Sequence, residues 1–304
     1  MINVRKEKGM TSFGVISRMR RIFDQKKIGH TGTLDPDAEG VLPVCMGRGT
    51  KLVDRLSRGT KTYRAVLLLG VTTDTQDISG QVLERREVMV ADSEVREAVL
   101  SFSGKQMQVP PMYSALKVDG KKLVDLARRG IEVERKAREV EFSGFEIHGI
   151  DLPRVDFSVT CSHGAYIRTL CEDIGKKLGT GGCMESLLRT RVEDFLIEDA
   201  MTLDEIAAAK EEADRKEDGG SYPFLIPPER FYAEYPEGVI AAQCEEAALN
   251  GRPVPIKAAK GINRADVPEG GGVRLYLRDG AFVGIYKREG GKLRLDTFYY
   301  EGIF

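Results

Sequence analysis

The feature that most constrains the fold is a change of hydrophobic period at Gly164. Before it, Val155, Phe157, Val159 and Cys161 alternate with Asp156, Ser158, Thr160 and Ser162, the period of a half-buried strand. After it, Ile167, Leu170, Cys171, Ile174 and Leu178 recur at helical spacing, and Gly179 closes the run. A strand feeding directly into an amphipathic helix excludes an all-α or all-β chain. It also places Arg168 in the first helical turn past a strand end, a frequent location for site residues in layered α and β folds.

Other segments carry equally local signals. Thr11 and Ser12 are good N-cap residues ahead of Val15, Ile16, Met19, Ile22 and Phe23, which predicts an amphipathic helix with Arg18, Arg20 and Arg21 largely off its apolar face. Residues 62–69, TYRAVLLL, form a nearly continuous apolar run and predict a buried central strand. Val95, Ala98, Val99 and Phe102 mark a helix opened by Asp92 or Ser93 and stopped by Gly104. An acidic stretch at 204–221 begins as a solvated helix and decays into Gly219-Gly220-Ser221, and Pro223, Pro227 and Pro228 then forbid regular structure. The domain boundary is expected here. Beyond Tyr235 and a short helix near 241–250, alternating strands are separated by Asp279-Gly280 and Gly290-Gly291, strong hairpin signals that predict a small β-barrel.

Charge narrows the function. The formal net charge of -1 hides an uneven distribution: residues 1–30 carry eight Lys and Arg against two Asp and Glu, whereas residues 193–218 carry eleven acidic against three basic. Concentrated positive charge on an otherwise neutral or acidic chain suits a polyanion binder, with ordinary solvated charge as the competing reading. Five cysteines, with no C-x-x-C pairing, support neither a disulfide framework nor a zinc site, and the three histidines have no ligand spacing. A metalloenzyme is therefore not expected, and the absence of a Walker motif or dinucleotide fingerprint argues against a nucleotide cofactor. No apolar run approaches the roughly 18 to 20 residues that span a bilayer, and the amino terminus lacks the apolar core of a signal peptide, so a cytoplasmic protein is expected.

The chemistry centres on Gly29-His30-Thr31-Gly32-Thr33-Leu34-Asp35-Pro36, which sets a carboxylate just past a basic cluster. Phosphates repel a carboxylate, so one placed here needs a purpose. Asp35, Asp37 and Glu39 all crowd the loop, and periodicity does not choose among them. A buried carboxylate needs a cation to stay ionised, and Arg168 is a candidate partner because guanidinium binds carboxylate bidentately. Tyr63 could stack on a base, although a core tyrosine in a strand is the commoner fate.

These segments, taken in order, resemble the tRNA pseudouridine synthase B (TruB) family. KGMTSFGVISRMRRIF and KKIGHTGTLDPDAEGVLPV are similar to its amino-terminal signature. Pro111-Met112-Tyr113-Ser114-Ala115-Leu116-Lys117, Cys161-Ser162-His163-Gly164-Ala165-Tyr166-Ile167-Arg168-Thr169-Leu170 and Leu187-Leu188-Arg189-Thr190-Arg191-Val192 resemble later blocks. Glu7 departs from the family's usual proline, and Val124 from a common tyrosine.

The resemblance implies an α+β pseudouridine synthase fold, with a mixed, largely antiparallel sheet flanked by helices over residues 1–230 and a PUA-like RNA-binding barrel over 235–304. It implies isomerisation of uridine 55 in the T-loop of tRNA to pseudouridine, by a monomer with no cofactor, no metal, no obligatory protein partner and no membrane association. Asp35 would be the nucleophile, Arg168 its ion-pair partner and Tyr63 the stacking aromatic, these three forming the catalytic set. His30 would fill the gap left in the RNA stack, while Tyr166 and Leu187 would line the uridine pocket. The rival is a non-catalytic tRNA-binding or RNA-folding protein on the same scaffold, for which a buried carboxylate near phosphates has no use.

Overall fold

The computed structural model describes residues 1–118, 120–215 and 222–300. Its centre is a nine-stranded sheet in the order Ile2–Lys6, Glu39–Met46, Gly182–Val192, Lys61–Leu69, Arg154–Cys161, Arg138–Asp151, Gly104–Gln108, with Ile28–His30 added to Glu39–Met46 and Phe195–Leu196 to Gly182–Val192. Every pairing is antiparallel except that of Glu39–Met46 with Gly182–Val192. The fold is the mixed, largely antiparallel α+β arrangement that the family resemblance implies.

The strand Arg154–Cys161 buries Val155, Phe157, Val159 and Cys161 in strict alternation. The Lys61–Leu69 strand is central, as its apolar run suggests, yet only Ala65, Leu67 and Leu69 are fully buried after Lys61, and Val66 and Leu68 are half-buried. The physical reason is that an antiparallel sheet can leave one face partly wet, and on that face Arg64 pairs with Asp156 across the strands at 2.7 Å.

On the dry face, helices Asp92–Leu100 and Ile167–Lys177 bury Val95, Val99, Leu170 and Ile174 against Leu67, Phe142 and Phe157. The cap of the first differs slightly from expectation, with Ala91 outside the helix donating its N–H to Glu94 Oε2 at 2.7 Å. The amino-terminal helix, Ser12–Ile22, is capped by Thr11, whose hydroxyl accepts from Gly14 N–H at 2.9 Å. It packs Val15, Ile16 and Met19 on Val4, Leu42 and Val44, and leaves Arg20 and Arg21 exposed.

The acidic helix is Leu203–Asp214; its predicted decay into Gly219-Gly220-Ser221 lies outside the described residues. Pro228 does not forbid structure, because a missing N–H is harmless at a helix start, and it opens a 3-10 turn over Pro228–Tyr232. A barrel-like six-stranded sheet follows, with turns at Asp279-Gly280 and Gly290-Gly291 joining Gly272–Tyr276 to Phe282–Glu289 and the latter to Lys292–Phe298. Ile285 of this sheet and Tyr299, just past its last strand, share one apolar cluster with Val41, Cys45 and Val192 of the large sheet and Leu52 beside it, and the buried Tyr232 and Tyr299 hydroxyls bond at 2.8 Å. Among the described residues no helix is long and apolar enough to cross a membrane.

The parallel junction of the large sheet depends on a glycine. Gly40 has φ +119°, and a Cβ there would lie 2.2 Å from the Arg189 carbonyl oxygen on the neighbouring strand. Gly40→Ala is therefore expected to destabilise the protein by about 3 kcal/mol, combining left-handed strain with a backbone clash. An unchanged urea midpoint would show that the two strands have room to part.

Candidate active site

The loop after Ile28–His30 is held by side chains that precede it in sequence. Ser12 Oγ accepts from the Leu34 N–H at 2.9 Å and donates to the Leu34 carbonyl at 3.0 Å. Gly9 N–H donates to the Pro36 carbonyl at 2.9 Å, and Lys6 Nζ donates to the carbonyls of Glu7, Pro36 and Ala38 at 3.0, 3.0 and 2.6 Å. Lys6 is wholly buried, and burial pulls its ammonium down to about 8, so it still carries its charge at neutral pH. The result is a fixed turn that displays Asp35 into a cleft of about 410 Å³.

That cleft separates the three acidic candidates. Asp35 lines it, whereas Asp37 is exposed and Glu39 turns away to pair with Arg5 at 2.6 Å. Arg168 meets Asp35 from the first turn of its helix, with Nε 3.0 Å from Oδ2. The Arg168 side chain is 6% exposed and that of Asp35 41%, so the cation is sunk in protein and the carboxylate faces the opening. Both terminal nitrogens of the guanidinium also have partners. Nη1 donates to the Thr75 carbonyl at 3.1 Å and lies 3.6 Å from Asp77 Oδ2, and Nη2 donates to the Tyr113 carbonyl at 2.9 Å. Burial pushes the Asp35 carboxyl above the ordinary aspartate value; Arg168 and Lys6 pull it down, and Asp77 and Asp37 push it up.

His30, Tyr63, Tyr166 and Leu187 line the same cleft. Tyr63 projects from the central strand half-buried, with burial pushing its phenol up against the opposing pull of the Arg189 guanidinium. Tyr166 immediately precedes the helix that carries Arg168, and its backbone is clamped by one side chain: its N–H donates to Gln108 Oε1 at 2.8 Å and its carbonyl accepts from Gln108 Nε2 at 3.0 Å. Leu187 packs against the main core. His30 Nδ1 accepts from Gly32 N–H at 3.2 Å, and burial together with Arg189 lowers the imidazole pKa, favouring the neutral ring.

Sequence reasoning gave no role to Arg189 and Lys61, which also line the cleft. Arg189 is 1% exposed and donates to the Val41 and Gly32 carbonyls at 2.7 and 3.1 Å. The Lys61 ammonium, which burial lowers to about 8, donates to the Ser57 and Gly59 carbonyls. The available signal was a basic residue at a position the strand turns inward, which matters only where a cleft opens. The Thr75 carbonyl gave no signal at all, because a backbone acceptor has no side-chain signature. Together the cleft sets one carboxylate among buried cations and two phenols, an arrangement able to attract an anionic ligand and present a nucleophilic oxygen to it.

Comparison with known proteins agrees in extent as well as kind. Residues 20–167 match the family described as TruB family pseudouridylate synthase, N-terminal domain, and residues 168–230 match the tRNA pseudouridylate synthase B C-terminal domain. The chain is 46% identical to the tRNA pseudouridine synthase B of Alkaliphilus oremlandii over 251 residues, covering 83% of this chain and 81% of that protein. It is 40% identical to the Clostridium kluyveri protein of the same name over 285 residues, covering 94% of each. A solved structure described as a Cbf5-Nop10-Gar1 complex superposes with a TM-score of 0.68 at 26% identity, covering 98% of this chain and 84% of that one. With these relatives spanning most of its length and the conjunction of Asp35 and Arg168 in one cleft, the chain belongs to the TruB family of pseudouridylate synthases.

Proposed function

We propose that this enzyme converts a uridine of tRNA, uridine 55 of the T-loop, into pseudouridine, with Asp35 as the nucleophile. The observation that carries the reading is the Asp35–Arg168 pair at 3.0 Å, open to the cleft on the carboxylate side alone. The reaction breaks the C–N glycosidic bond, turns the base and forms a C–C bond. It is an isomerisation with no net redox change, and a covalent step through a carboxylate retains the substrate while the base turns.

A uridine in a folded loop is reached by flipping it out, at a cost of a few kcal/mol that stacking and phosphate contacts offset. In this reading the flipped base stacks on Tyr63, with Tyr166 and Leu187 closing the pocket around it. His30, neutral and set at the cleft's side, occupies the gap left in the RNA. Arg168 holds the Asp35 carboxylate ionised and aimed. Lys61 and Arg189 add positive potential below the base. The T-arm stem-loop is the recognised element, bound by the single chain without a protein partner.

Asp35→Asn is expected to abolish pseudouridine formation in a T-arm transcript, assayed in chelator without added cofactor, while affinity for the RNA changes by less than about threefold, or ~0.7 kcal/mol. Retained turnover would sink the nucleophile assignment; an inactive wild type that still binds the RNA would favour the non-catalytic reading. Tyr63→Ala should weaken RNA binding by about 1 to 3 kcal/mol, and Tyr63→Phe should restore most of it, because the ring and not the hydroxyl stacks. Because Asp35 must be ionised to attack and its carboxyl is already raised by burial, activity should fall with acid at a pH above the ordinary aspartate value. Bound RNA excludes water and adds phosphates, both raising the carboxyl further, so the acid limb of kcat should lie at higher pH than that of kcat/KM. Coincident limbs would mean that the titrating group is not in the cleft.

A further inference from the structure

Two acceptors that hold Arg168, the Thr75 carbonyl and the Asp77 carboxylate, flank a residue with no part in the chemistry above. That residue, Gln76, has φ 66°, a left-handed conformation that an unbranched side chain without a local backbone bond adopts only when its surroundings impose it. Its backbone is held by the large sheet, since the Gln76 carbonyl accepts from Met184 N–H at 3.0 Å. Its side chain runs the other way, to the helix Ile167–Lys177. Gln76 Oε1 accepts from Thr169 Oγ1 at 2.7 Å, and Nε2 donates to Glu172 Oε2 at 2.7 Å. Thr169 is the residue after Arg168, and Glu172 lies one turn further along.

We propose that Gln76 is a positioning residue for the reaction: it fastens the 74–77 turn to the Arg168 helix, so that Arg168 and the acceptors orienting it move as one body. Three properties of the contact support this. Both ends of the amide are used, and their polarity is dictated, since a hydroxyl donates to the oxygen while a carboxylate accepts from the nitrogen. Thr169 is buried, which makes an unmet hydroxyl costly, while the mostly buried Glu172 carboxylate is also held by Lys176 Nζ at 2.6 Å and so offers Gln76 a set acceptor. The clamp also adjoins the guanidinium from both sides, one residue from Thr75 and Asp77 on the turn and one residue from Arg168 on the helix. A merely space-filling glutamine has no reason to sit in a left-handed turn with its amide oriented at both ends.

The activity arm of the test rests on the function proposed above; the exchange arm does not. Gln76→Asn keeps a residue that tolerates the left-handed backbone but is one methylene too short to span both partners. It is expected to lower Tm by a few degrees at most, to lower the single-turnover rate about tenfold or more with KM unchanged, and to speed amide exchange at residues 74–79 and 167–172 about tenfold. Gln76→Glu should be worse, because it sets a carboxylate against Glu172. The double variant Q76E/E172Q exchanges the polarity of that contact, with an amide on the helix donating to a carboxylate on the turn, and should recover both rate and exchange toward wild type. Wild-type rate and exchange in Q76N, or a double variant no better than Q76E, would overturn the clamp. A wild-type chain that forms no pseudouridine would count against the function alone, and the exchange pattern of the same variants would still decide the clamp.

Discussion

A guanidinium removed from water needs acceptors on each of its nitrogens, and meeting that need for Arg168 ties together parts of the chain that share no local structure. Its acceptors come from the loop bearing Asp35, the turn containing Thr75 and Asp77, and the segment containing Tyr113, while its own backbone belongs to a helix packed on the sheet. Moving any of these elements leaves either a buried cation without its partners or a carboxylate without its cation. The cleft is the place where these requirements are met together, and Asp35 is the member left partly open.

Buried lysines extend the same logic outward. Lys6 takes two carbonyls of the turn around Asp35 and that of its neighbour Glu7, and Lys61 takes two from the segment 57–59, so ammonium groups serve as internal fasteners for carbonyls that the regular elements leave over. Because each remains charged at neutral pH, fastening and electrostatic attraction come from the same residues. The smaller sheet is likewise no loose appendage. Tyr299 and Ile285 complete a core begun by Val41 and Val192, which couples the barrel to the strand that carries Gly40 beside Val41.

Much of the fold was legible because hydrophobic period is a local property. The alternation through Cys161, the helical face from Ile167, the Thr11 cap and the Asp279-Gly280 turn each follow from residues within a few positions of one another. Where the reading slipped, the missing information was tertiary. Val66 and Leu68 look as buried as Leu67 in sequence, but only packing decides which face of a strand is covered. Pro228 breaks structure in general, yet at a first turn its missing N–H costs nothing.

The candidate site divides along the same line. The sequence alone determined that a glycine-rich loop carries acidic residues beside a basic helix, and its ordered blocks resemble one family closely enough to single out Asp35, Tyr63 and Arg168. Tertiary structure decided which of Asp35, Asp37 and Glu39 faces a cleft, which cations reach it, and that Gln76, Lys61 and Arg189 stand around it. The reason is range: backbone preference and hydrophobic period act between neighbours in the chain, whereas desolvation and ion pairing act between whatever residues packing brings within a few ångströms.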